Sequence, residues 1–143
     1  MTEALRFLTR REASIFACVC DTVVAPEPLL PPVRETDAVA SFDRLLAASP
    51  PLNRIGLRAL LYAAELAPRA VRMRRLRALA AAERGAALER LENVRGAARL
   101  VELVEGLACL SYYCDDAVMR RLGYDAEPRV ARGRELRARE GRL

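Results

Sequence analysis

Apolar residues recur along this chain at intervals of three and four, and no stretch shows the period-two alternation of a half-buried strand. Ala13, Phe16, Ala17, Cys20, Val23 and Val24 share one such stripe. Thr9, with Glu12 three places on, forms a capping box ahead of it, and Leu8 stands where a staple residue would. A first helix is therefore expected over about residues 9–24. Pro26, Pro28, Pro31 and Pro32 follow, a density that breaks helix and central strand alike and predicts a rigid, extended connector.

A second helix begins near Thr36 and Asp37 and carries Val39, Phe42, Leu45 and Leu46. Ser49 is placed to cap a third, with Pro50 and Pro51 in its first turn. Its expected core face is Leu52, Ile55, Leu57, Leu60, Leu61, Ala64 and Leu66, and Pro68 stops or kinks it. Val71, Met73, Leu76 and Leu79 suggest a short basic helical stretch, and Ala87, Leu88 and Leu91 mark a helix over about residues 83–93. From Gly96 the pattern runs through Ala97, Leu100, Val101, Val104, Leu107, Ala108, Leu110 and Ser111 into Tyr112 and Tyr113. This longest and most apolar run is expected at the centre of the bundle. Asp115 or Asp116 caps a short helix over Val118, Met119 and Leu122, which Gly123 ends. The fold expected is all-α: an irregular bundle of five to seven helices with a Pro-rich connector and a basic C-terminal tail. Residues 1–126 form one domain, and 127–143 form an Arg-rich tail, either an exposed helix or disordered until bound.

Composition narrows the chemistry. The 143 residues contain no His and no Lys, so all 24 basic residues are Arg. The commonest general base, the commonest metal ligand, the Schiff-base lysine and the phosphate-loop lysine are thereby missing together. Asp115 and Asp116 beside two tyrosines are more simply a helix cap than a catalytic pair. Glu102 and Glu105 share a face, but a di-iron site would also need His. Cys18, Cys20, Cys109 and Cys114 lack chelating spacing and suit buried small apolar side chains, with a Cys18–Cys109 or Cys20–Cys114 approach left open. No catalytic, cofactor-binding or metal-binding residue is expected.

The net charge of +5 gathers in two Arg clusters, at residues 69–77 and 129–142. Either would attract an acidic surface, protein or nucleic acid. No run approaches the roughly 20 apolar residues of a membrane span. Arg10 and Arg11 before an apolar stretch mimic a twin-arginine export signal, but Glu12 and Asp21 interrupt it, and a folded helix is expected. Tyr112, Tyr113 and Tyr124, with Arg120 and Arg121, cluster around one helix end and are the candidate partner-binding residues.

The second half has a distinctive order: Leu88-Glu89-Arg90-Leu91, a long apolar helix, Tyr112-Tyr113-Cys114-Asp115-Asp116-Ala117-Val118-Met119, then Leu122-Gly123-Tyr124-Asp125. With Leu8-Thr9-Arg10-Arg11-Glu12 at the start and Asp21-Thr22-Val23-Val24-Ala25-Pro26 closing helix one, the chain resembles the gluconate 2-dehydrogenase subunit 3 family over roughly residues 8–126. That resemblance implies a small helical subunit accompanying a large flavoprotein of the glucose-methanol-choline (GMC) oxidoreductase type, which would hold the FAD. Its role would be to support the partner's folding, stability or export. Many members carry a twin-arginine signal ahead of the first helix, so a cytoplasmic complex is expected for the chain as given, and a periplasmic one if a signal has been removed. The alternative is an Arg-rich helical nucleic-acid-binding regulator, ranked second because no recognition helix stands out. A self-sufficient enzyme built on Tyr and Asp ranks third.

Overall fold

A computed structural model of the chain describes residues 5–25, 29–71, 73–124 and 126–141, with Ala126 described as backbone only. The expected connector prolines Pro26 and Pro28, together with Arg72, Asp125 and Arg142, lie outside the described residues. Among the described residues there are seven α-helices and no strand. They are α1 (Arg10–Val24), α2 (Ala38–Ala48), α3 (Pro51–Leu66), α4 (Ala81–Glu92), α5 (Ala98–Tyr113), α6 (Asp116–Arg121) and α7 (Ala126–Arg139). Short 3₁₀ turns at Val33–Glu35, Ala67–Val71 and Leu76–Ala78 join them.

The capping box forms as its residues require. The Thr9 hydroxyl accepts from the Glu12 amide at 3.2 Å, and the Glu12 carboxylate accepts the Thr9 amide at 2.8 Å. Arg10, Arg11 and the apolar stretch that follows them to Cys20 lie within this helix. α5 packs against α1, α2, α3, α4 and α6, the central position its apolar run foretold, although α3 equals its 16 residues in length. Around it Ile15, Phe16, Val19, Phe42, Leu46, Leu61, Ala108, Tyr112 and Val118 close one core, with the Phe16 and Phe42 rings stacked at 4.1 Å. A smaller cluster of Leu88, Leu91 and Val101 seals α4 onto α5.

Helix α3 departs from expectation. Its seven nominated core positions spread over roughly 240° of the circumference, too wide an arc for a single face at a period of 3.6. Leu61 and Ala64 are buried and Leu57 and Leu60 half-buried, whereas Leu52, Ile55 and Leu66 are 78%, 66% and 42% exposed. Ser49 does not cap this helix either. Its hydroxyl donates to the Leu45 carbonyl at 2.7 Å and closes α2, so α3 starts from Pro50 with no side-chain cap. The stretch over 67–78 is two 3₁₀ turns rather than one basic helix, and the tail is an exposed helix.

Buried carboxylates tie these elements together. Asp43 on α2 accepts the amides of Arg6, Phe7 and Leu8 at 2.8, 3.0 and 2.7 Å, pinning the segment before α1. Glu12 on α1 lies 3.1 Å from the Arg58 guanidinium of α3. Glu65 on α3 accepts both the Arg77 amide at 3.3 Å and its Nε at 3.1 Å. Burial pulls the pKa of Asp43 upward, but the three amides and the Arg6 charge outweigh it and leave the carboxyl below its ordinary 3.8. Glu12 likewise ends below 4.5, because Thr9 and Arg58 together overcome burial.

A group whose pKa falls on folding adds stability above its unfolded pKa and loses it as the pH drops through the folded one. Acid titration should therefore leave stability level down to about pH 5 and lower it progressively beneath that, as measured by urea denaturation at each pH. Asp43→Ala, which strands three amides, should lower stability at neutral pH by about 3 kcal/mol and flatten the acid limb of the same curve. A variant with an unchanged urea midpoint would show that the carboxylate does not hold the segment.

Candidate functional site

The candidate contact residues gather where α5 ends and α6 begins. At 100° per residue, neighbours on α5 face different ways, and this separates the two tyrosines. Tyr112 falls in phase with Val101, Val104 and Ala108 on the core face, is fully buried, and donates its hydroxyl to the Pro31 carbonyl at 2.7 Å. It therefore fastens the connector to the bundle and is not a contact residue, which corrects the expectation from sequence. Burial first, and then Tyr113 and Asp115, raise its phenol pKa, so it stays protonated and donating. Tyr113 turns outward, 40% exposed, with its ring edge-on to that of Tyr112 at 5.2 Å.

Asp115 holds the turn. One carboxylate oxygen accepts the Ala117 and Val118 amides at 2.8 and 3.2 Å, capping α6. The other accepts the Asp37 amide at 2.7 Å, 78 residues away at the start of α2. Asp116 is exposed on α6, so of the two candidate caps it is Asp115 that serves. Gly123, at φ +71°, ends the helix in a Schellman motif. Its amide reaches the Arg120 carbonyl at 3.0 Å, and the Tyr124 amide reaches that of Met119 at 2.9 Å. This geometry sets Tyr124 outward, 41% exposed, where the Arg129 guanidinium of α7 lies over its ring at 4.8 Å. Arg120 and Arg121 occupy the last turn of α6, where cations complement the helix dipole. Arg121 also donates to the Leu29 carbonyl at 3.2 Å.

The structure thus brings Tyr113, Arg120, Arg121 and Tyr124 to one end of the bundle, with the apolar Leu110 and Leu122 exposed beside them. Both belong to the apolar pattern that marks their helices in the sequence. Leu110 stands two places, or about 200°, from the buried Ala108 and so faces outward, whereas Leu122 follows the buried Val118 by four places and is exposed because α6 ends at Arg121. A polar groove of about 420 Å³ borders this end, lined by Glu35, Asp37, Ser41, Arg44, Asp116 and Arg120.

Among the described residues, no group of three or more His, Cys, Asp or Glu is arranged to hold a metal ion. All four cysteines are free thiols. Burial, then Cys109 and Asp21, push the Cys20 thiol up to about 12, and burial also raises that of Cys18, so both are unreactive at neutral pH. Glu102 pairs with Arg99, while burial and Glu92 raise the pKa of Glu105. No helix of the described residues is long and apolar enough to cross a membrane. Comparison of the chain with protein-family models, with curated proteins and with solved structures returned no match.

The division between the tyrosines is measurable. Tyr112→Phe removes a buried hydrogen bond and should lower stability by about 1 kcal/mol, while Tyr113→Phe should leave the urea midpoint unchanged. Equal effects would contradict the assigned roles.

Proposed function

We propose that this chain is a non-catalytic small subunit that binds and stabilises a large FAD-dependent alcohol or sugar dehydrogenase or oxidase of the GMC type. The observation that carries the binding role is the surface at the α5–α6 end. There Tyr113, Tyr124, Arg120 and Arg121 surround exposed Leu110 and Leu122. Interfaces are enriched in Tyr and Arg around an apolar centre, and these two residue types dominate binding hot spots. The sequence supplies neither His nor Lys for proton transfer or Schiff-base chemistry. The partner's identity rests on the resemblance carried by Tyr112 to Met119 and Leu122 to Tyr124. FAD belongs, on this reading, to the large subunit.

The alternative nucleic-acid reading has less support. On α7 the 100° step spreads Arg129, Arg132, Arg134, Arg137 and Arg139 over roughly 220° of the circumference, with Glu127 and Glu135 on the remaining arc. A groove-reading helix would instead concentrate its basic residues on one side.

Affinity purification of the tagged chain from its native host in mild salt should yield a stoichiometric complex showing flavin absorbance. The double variant Tyr113→Ala, Tyr124→Ala should retain its fold by circular dichroism and recover at least about tenfold less of that flavoprotein. A colourless eluate carrying nucleic acid, or no partner, would reject the subunit reading.

A further inference from the structure

Several arginines of the bundle are taken up within the chain. Arg58 meets Glu12, Arg77 meets Glu65 and Arg99 meets Glu102. Two on α7 are not. Among the described residues neither Arg134 nor Arg137 meets a carboxylate or a carbonyl oxygen, and both side chains are exposed. At 100° per residue Arg129, Gly133, Arg137, Val130 and Arg134 fall, in that order round the axis, within an arc of about 140°. With Tyr124 they line a cleft of about 430 Å³ between the end of α6 and α7. Glu127 and Glu135 stand outside that arc, and Glu140 lies three places beyond Arg137. Three cations therefore surround one cleft with no carboxylate in its lining.

The cleft has a wall, a floor and a clamp. The Arg129 guanidinium lies over the Tyr124 ring at 4.8 Å, which fixes one wall while leaving the charge of Arg129 in place. Gly133 and Val130 form an uncharged floor. No atom of the chain comes within 4 Å of where a Cβ on Gly133 would stand, so the space above it belongs to the cleft. Arg134 and Arg137 stand beyond it, about 4.5 Å apart along the axis, and Arg129 lies about 7.5 Å before Arg134. Carboxylates one helical turn apart, or two residues apart on an extended chain, have spacings of this order.

We propose that this cleft binds an acidic segment of a partner protein, its backbone lying over Gly133 and its carboxylates held by Arg134 and Arg137. Arg forks suit paired carboxylates, and the uncompensated positive charge supplies the attraction. Open sides and exposed lining residues do not suit a small molecule, whose sites commonly bury 70–90% of the ligand. Single-stranded nucleic acid binds where successive bases stack on aromatic rings. Here Tyr124 is the one aromatic in the lining, Arg129 covers a face of it, and no aromatic follows in the sequence. The proposal deepens the binding role given above and rests on it only in requiring a protein partner; it does not require that the partner hold a flavin.

Fluorescence anisotropy of a fluorescein-labelled octaglutamate peptide, titrated with the full chain at low ionic strength, tests the cleft without the flavoprotein. Binding should saturate. Arg134→Gln with Arg137→Gln should weaken it at least about tenfold with unchanged circular dichroism, since Gln is a good helix former. Arg74→Gln with Arg75→Gln removes the same charge from an exposed stretch outside the cleft and should change affinity less than about twofold. Gly133→Leu alters no charge but fills the floor, and it should weaken binding about as much as the first pair. Absence of saturable binding, equal losses from the two arginine pairs, or an unaffected Gly133→Leu would each overturn the proposal. So would an oligothymidine of equal charge that binds the wild type more tightly than the peptide and loses affinity in the same cleft variants. The flavoprotein reading stands or falls separately, by the flavin absorbance of the purified complex.

Discussion

Four buried carboxylates among the described residues, each satisfied by donors from another part of the chain or from a helix start, are the constraint on which this fold rests. Withdrawing a carboxylate from water is strongly unfavourable unless hydrogen bonds or a countercharge replace the lost solvation. Here Asp43 fixes the segment before α1. Glu12 joins α1 to α3, Glu65 joins α3 to the 76–78 turn, and Asp115 joins the start of α6 to the start of α2. Each works as a register pin. If a helix slides by one turn, the apolar contacts can be remade against other small residues, but a buried charge loses its donors outright. In a core made largely of Leu, Ala and Val, with few aromatics, such pins distinguish one packing from several of similar apolar area.

The exclusive use of Arg follows the same logic. The Arg54 fork serves two carbonyls while its plane lies on the Phe7 ring, and Arg77 meets Glu65 through Nε while reaching Ser14 through Nη1. A lysine ammonium has neither the plane nor the spread of donors to do this. Of the 69–77 cluster, Arg69, Arg74 and Arg75 are exposed, whereas Arg77 is half-buried against Glu65. The net positive charge therefore overstates the basic surface offered to a polyanion.

What could be foreseen from sequence was local, and what could not was a pairing across distance. The Thr9–Glu12 box, the Gly123 stop and the apolar centre of α5 are written in neighbouring residues, and each stands where expected. A helix cap at Asp115 was legible too, but nothing in its surroundings names Asp37 as the second donor, 78 residues away. The error on α3 has the same origin. Leu52, Ile55 and Leu66 look like core until Arg54, Arg58 and Glu65 are seen to be taken up inside, which turns the opposite face to solvent. At the candidate site, helical phase alone would have separated Tyr112 from Tyr113. The Schellman turn that presents Tyr124 follows from Gly123, whereas the stacking of Arg129 over its ring depends on where α7 lies.

The α5–α6 end and the exposed side of α3 differ in kind, and the difference follows from where the pins sit. At the α5–α6 end Asp115 is spent on backbone amides, and the arginines of the last turn and the two outward tyrosines stay exposed. On α3 Arg54, Arg58 and Glu65 are engaged by groups within the chain, while Leu52, Ile55 and Leu66 are left exposed. Polar groups confer orientation and choice of partner, whereas exposed Leu and Ile offer apolar area without direction.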